Sequence, residues 1–304
     1  MSYRYLLAAL WLVAPLGLWA QVRVELSFDQ ETYLPEEPMN AIVLIYNNSG
    51  QNLRLGRDHQ WLSFGIESVD GRIARQIKAP DVVGEFDLPN GSRARKIVNL
   101  AEAYDLRRFG RYLITAIVHV PEWGESFTNP RAKPIGIATG VTLWETTFGI
   151  PDAKEGSRPE LRKFQLLQAN HRKQLSIYVR VTDETESETY ALSVLGKLVS
   201  FSKPEPQMDR FSNLHVLYQD ASHTFSYFMI TPDGMILSRQ TWAIGESRPA
   251  MTVNSEGRIS VTGGVRRVSA SDLPPPEQLS EKKSPSEAPL LGADNRIDAE
   301  KAVK

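Results

Sequence analysis

The 304-residue chain is 41% hydrophobic, enough apolar material for two ordinary domains with packed cores, and so reads as globular. Its formal net charge of -1 supplies no overall field to draw nucleic acid, an anionic membrane or a highly charged substrate, although local patches stay open. Cysteine is absent, which excludes disulfides, thiolate metal sites, a Cys nucleophile and a lipid-modified N-terminal Cys; stability has to come from buried area.

The chain begins "MSYRYLLAALWLVAPLGLWAQ", in which Arg4 precedes an apolar run from Leu6 to Trp19 that is broken by Pro15 and Gly17 and ends at Ala20. This is the plan of a secretory signal over residues 1–20, with cleavage expected near Ala20/Gln21. A retained anchor is the alternative reading, but a spanning helix needs roughly 20 apolar residues and this run is shorter and helix-breaking. An exported chain without cysteine fits the bacterial periplasm or the space beyond it. On that reading the glycosylation triplets at Asn47 and Asn90 are chance matches.

Strand periodicity dominates from Val22 onward. Val22, Val24, Leu26 and Phe28 alternate with polar residues, and Tyr112, Ile114, Ala116, Val118 and Val120 repeat the pattern. Between them lie "AIVLIY" from Ala41, "WLSFGIESV" from Trp61, "RIARQI" from Arg72 and "KIVNL" from Lys96, each bounded by turn residues; Ile135–Ala138 and Val141–Phe148 close the series. Short strands without a long helical period predict two packed antiparallel sheets over residues 21–150.

"YLPEEP", Tyr33–Pro38, followed by "AIVLIYNNSGQNLRL", resembles the opening of the immunoglobulin-like domains of bacterial surface and macroglobulin-type proteins. "YDLRRFGRYLITAIV", Tyr104–Val118, resembles their penultimate strand, with Tyr112 in the place of a tyrosine corner. Glu36 stands where that family carries Gly, which points to a looser first crossover. The resemblance implies the fold and no particular function, since this sandwich hosts many unrelated roles.

"IPDAKEGSRPELRK" is polar and holds Pro151, Gly156 and Pro159, so residues 151–163 read as a linker. A second, smaller antiparallel β-domain is expected over 164–268. In it "QLSIYVRVTD", "NLHVLYQD" and "GRISVTGG" recur about 40 residues apart, and Pro232-Asp233-Gly234 joins "TFSYFMI" to "MILSRQTW" as a hairpin. These hairpins resemble blades of sialidase-type or quinoprotein-type propellers, of which at most two and a fraction fit the length. "ETYALSVLGKLVSF", Glu188–Phe201, suits a helix through Leu192, Leu195 and Leu198 and a strand through Val194 and Val199. From Ser269 the chain lacks aromatics and is rich in Pro, Ser and mixed charge, so residues 269–304 are expected to form a disordered tail, either a tether for a partner or solvated slack.

Few residues suggest chemistry. "SVDGRI", "TPDGMI" and "NSEGRI" share an acidic residue before Gly, and these read as corners: Gly71, Gly234 and Gly257 supply positive φ, and the calcium alternative lacks a second nearby carboxylate. His59, His119, His171, His215 and His223 show no zinc-protease spacing, and Ser200–Lys203 matches Ser-x-x-Lys without its companion motifs. No catalytic residue, metal site or cofactor is assigned. The one binding candidate is the loop "PEWGESFTNP", where Trp123 and Phe127 stand between Glu122 and Glu125; it either presents aromatics to a sugar or peptide or folds Trp123 back as a lid.

The sequence therefore reads as all-β: an N-terminal immunoglobulin-like antiparallel sandwich, a second smaller antiparallel β-domain and a disordered C-terminal tail. The expected function is that of an exported, non-enzymatic binding or scaffold protein of the bacterial envelope, with a protein or glycan partner, no nucleic acid and no stable membrane span after cleavage. The alternative is an accessory carbohydrate-binding or hydrolase-like protein using the second β-domain or the Trp123 loop.

Overall fold

In the computed structural model, which describes residues 22–150 and 160–273, the alternating apolar residues of the first half build two facing, mainly antiparallel sheets. β1 (Val22–Ser27) buries Val22, Val24 and Leu26, and after the short β2 (Thr32–Tyr33), β3 (Asn40–Asn47) buries Ala41, Val43 and Ile45. There follow β4 (Leu53–Leu55), β5 (Leu62–Ser68), β6 (Phe86–Leu88), β7 (Arg93–Asn99), a helical turn α1 (Leu100–Ala103), β8 (Gly110–Val120), β9 (Glu125–Thr128) and β10 (Lys133–Ile137). One sheet has the order β1-β3-β7 and the other β2-β10-β8-β5, with β9 beside the outer half of β8 and β2 parallel to β10. β4 and β6 pair as a separate two-stranded sheet, and the two larger sheets enclose a core that includes Val43, Trp61 and Ile114, which is the immunoglobulin-like arrangement.

Local chemistry fixes the corners. The Tyr112 hydroxyl donates to the Arg108 carbonyl at 2.9 Å, the tyrosine corner that the resemblance implied. Glu36 keeps the left-handed backbone of the Gly it replaces, φ 68°. The crossover is closed rather than loosened: Glu37 N–H donates to Leu34 O at 3.1 Å, and the Glu36 carboxylate lies 3.7 Å from Arg107 and 3.6 Å from Arg180. Asn47 is wholly buried and donates to the carbonyls of Gln51 (2.7 Å) and Leu88 (2.8 Å), so its side chain serves a corner.

Two strand expectations are corrected. "RIARQI" forms no strand: after the Asp70–Gly71 turn it touches β5 through Ser68 N–H to Arg72 O and Ala74 N–H to Ile66 O, then leaves to accept Asp105 N–H at Arg75 O. Its two isoleucines stay outside the core, Ile73 being 82% and Ile77 52% exposed, and only Ala74 packs against it. Val141–Phe148, expected to complete the first sandwich, lies in β11 (Val141–Ile150) and pairs antiparallel with β12 (Glu160–His171). The reason is packing, since Phe148 stacks on Phe164 with centroids 4.5 Å apart. Glu160–Lys163 of the expected linker are therefore strand as well.

β11 and β12 continue through β13 (Gln174–Asp183) and β14 (Thr189–Lys197) as a meander. Thr189–Lys197 of the ambiguous leucine-rich stretch is thus strand, because pairing with β13 outweighs its helical spacing, and Leu198–Phe201 leave the sheet. β15 (Glu205–Met208), β16 (Leu214–Gln219), β17 (Thr224–Ile230) and β18 (Ile236–Ala243) form a second meander. β19 (Ala250–Val253) and β20 (Ile259–Thr262) make a separate hairpin, and β21 (Val265–Arg267) returns beside β18. Phe164, Val179 and Val181 of the first meander meet Val216, Tyr218 and Phe228 of the second, while Met251 of the hairpin packs with Leu217, Phe225 and Tyr227 on the far side. Folded structure runs past the predicted boundary at Ser269: Asp272 pairs with Arg266 at 2.7 Å and Leu273 bridges Arg239. The expected signal, the rest of the linker and the tail from residue 274 lie outside the described residues.

Candidate functional site

The Trp123 stretch is a hairpin more than a loop. Val120–Glu125 turns tightly, with Trp123 and Gly124 N–H both donating to Val120 O, and Phe127 lies within β9 opposite Val118. Trp123 and Phe127 are half-buried, meet edge to face at 6.1 Å and pack against the first core; Glu122 and Glu125 are exposed on either side. The four predicted site residues are thus adjacent, but the two aromatic rings face each other and the core.

The acidic-Gly corners are turns. Gly71, Gly234 and Gly257 have φ of 83°, 81° and 75°, and each donates its N–H to the carbonyl three residues back. Their acids serve neighbouring arginines: Asp70 pairs with Arg72, Glu256 with Arg258, and Asp233 with Arg162 from β12. Among the described residues no group of three or more His, Asp or Glu side chains could hold a metal ion, and no helix is long and apolar enough to cross a membrane.

Polar side chains converge at the junction between the turn after β2 and the β12–β13 hairpin. That hairpin has a two-residue turn, Arg172 and Lys173, with φ of 48° and 67°. Positive φ at both central residues matches the twist of the strands but normally selects Asn-Gly, so two cationic side chains here mark a turn held by its surroundings. The hold is visible. Arg172 donates to Asp29 at 2.8 and 3.2 Å, and its N–H reaches the Gln30 side-chain carbonyl at 3.2 Å.

Beside it, Glu37 is buried and accepts from Leu34 N–H (2.8 Å), Gln30 Nε2 (2.9 Å) and Tyr178 Oη (3.0 Å), with His171 Nδ1 at 3.2 Å. Desolvation works against the Asp29 carboxylate, but hydrogen bonds from Tyr33 and Arg172 and the Arg172 charge outweigh it and hold its carboxyl below the usual range. Burial, then the neighbouring carboxylates, push the Tyr33 and Tyr178 hydroxyls up, so both remain protonated donors. Leu34, Leu167 and Tyr178 add a small apolar cluster at the same place.

An open cleft of about 730 Å³ adjoins this network, lined by Phe28, Glu31, Lys133, Thr139, Gln168 and Asn170 among others. Its size lies within the range of ligand sites, and the amides of Gln168 and Asn170 and the hydroxyl of Thr139 stand beside the charges of Glu31 and Lys133, a lining suited to a polar ligand. A second buried array, Asp209–His215–Tyr227, spans β16 and β17 with separations of 3.2 and 2.7 Å. Burial draws the His215 pKa down against the pull of Asp209, and burial followed by the Asp209 charge pushes Tyr227 up to about 12. Asp209 also accepts the N–H groups of Phe211 and Asn213, which makes the array the anchor of the turn before β16.

Sequence reading missed the junction because its members are separated by more than 130 residues, Glu37 and His171 being joined only in the fold. No protein-family model, curated protein or solved structure matches the chain.

Proposed function

We propose that the protein is an exported, non-enzymatic binding or scaffold protein of the bacterial cell envelope, in which two β-units are locked together to present surfaces in a fixed relation. The observation that carries this reading is the junction itself: its titratable groups, Asp29, Glu37 and His171, each engage partners across it, and so serve rigidity. The test is to express the full chain with a C-terminal tag in a Gram-negative host, fractionate, and cross-link in intact cells. Recovery from the envelope fraction in a discrete heavier adduct supports the proposal. Recovery from the cytoplasm overturns the export reading, and release of soluble fragments from purified envelope polymers by the protein overturns the non-enzymatic one.

A second reading, glycan binding, is favoured by the amides and hydroxyls of the open cleft rather than by the Trp123 turn. Trp123→Ala is expected to lower stability by about 2 kcal/mol, through lost burial and the aromatic pair, and to leave any glycan-array signal at the wild-type level. Unchanged stability with loss of a wild-type signal would return Trp123 to the role of a sugar platform. A blank array for both forms removes the glycan reading.

A further inference from the structure

We propose that the groove at one end of the first sandwich docks an extended acidic peptide bearing apolar side chains. Two arginine-rich turns form it, "DGRIAR" after β5 and "LRRFGR" before β8, tied together by Val69 N–H to Arg111 O and Asp105 N–H to Arg75 O, both 2.9 Å. The groove encloses about 800 Å³, within the range of ligand sites. Four arginines, Arg72, Arg75, Arg108 and Arg111, line it together with two aspartates, Asp70 and Asp105. Asp70 is taken by Arg72. Among the described residues the side chains of Arg75, Arg108 and Arg111 have no hydrogen bond or ion pair, so the groove is locally cationic in a chain of net charge -1.

Apolar groups share the same walls. Val69, Ile73 and Phe109 are 65%, 82% and 61% exposed and line one groove, where scattered single exposures would need no explanation. Charge complementarity selects the occupant. Planar guanidinium forks pair with carboxylates in bidentate fashion, and Val69, Ile73 and Phe109 offer a partner's apolar side chains a surface on which to leave water. Asp105, half-buried and without a side-chain hydrogen bond, can accept a main-chain N–H of the incoming segment. A flat anionic bilayer or a nucleic acid also carries anions for the arginines but brings no main-chain N–H group to Asp105, which an extended peptide does.

The inference is tested on the exported full chain by fluorescence anisotropy with a labelled nonapeptide alternating Glu with Leu and Phe, and with its Lys-for-Glu counterpart. Phosphatidylglycerol vesicles and a single-stranded oligonucleotide are the competing probes. The acidic peptide is expected to bind about tenfold or more tighter than the basic one, more weakly as salt rises. Arg75→Glu combined with Arg111→Glu should weaken it by about tenfold or more, and Phe109→Ser by a few-fold. The tying hydrogen bonds use the carbonyls of Arg75 and Arg111, so melting temperature should hold; if it falls, the Arg75→Ala, Arg111→Ala pair gives the readout. Equal binding of the two peptides, indifference to these variants, or preference for vesicles or oligonucleotide overturns the proposal.

Discussion

Glu37→Ala is expected to destabilise the protein by about 3 kcal/mol, read as a lower urea midpoint. The carboxylate accepts from Leu34 N–H, Gln30 Nε2 and Tyr178 Oη, and the residue is only 6% exposed. Deleting it leaves those donors unpaired in a place with little water, and each orphan costs roughly 1–3 kcal/mol before relaxation. The effect reaches both units, because Leu34 and Gln30 belong to the turn after β1 and β2 while Tyr178 lies on β13. Tyr178→Phe removes one bond of the same set and is expected to cost about 1 kcal/mol. An alanine variant within about 0.5 kcal/mol of the wild type would mean that the junction is not a lock, and the scaffold reading would lose its support.

Alternation made the first sandwich legible. In β3 and β8 each buried side chain sits two residues from the next, as the sequence requires when one face meets a core. The tyrosine corner was legible too, because Tyr112 and its acceptor are four residues apart. What escaped was decided by partners distant in sequence. β11 reads as the natural successor of β10, yet Phe148 finds Phe164 across the next strand and the chain pairs accordingly. The junction needed Glu37 beside His171 and Tyr178, and the groove needed two arginine-rich turns brought side by side; both turns were visible as "GRIAR" and "RRFGR", but their proximity was not.

The three acidic-Gly corners share a sequence pattern and a backbone, but a substitution series is expected to separate them. Each glycine lies in the left-handed region, where a side chain costs roughly 1–2 kcal/mol. At Gly71 and Gly257 a Cβ would meet open space, so alanine should cost about 1 kcal/mol at each. At Gly234 the same atom would land inside the Cβ of Ala191 and 3.3 Å from Val181 Cγ2. The turn between β17 and β18 is docked against β13 and β14, where Pro232 O also accepts from Arg162 at 3.1 Å. Gly234→Ala must therefore strain the backbone and push the two sheets apart, and overpacking adds about 1–3 kcal/mol, for a loss of about 3 kcal/mol in all. If the corners held ions instead, the three variants would lose stability together and calcium would raise the wild-type melting temperature. A graded series that ignores calcium is what packing requires, since only at Gly234 does the bend join the two sheets.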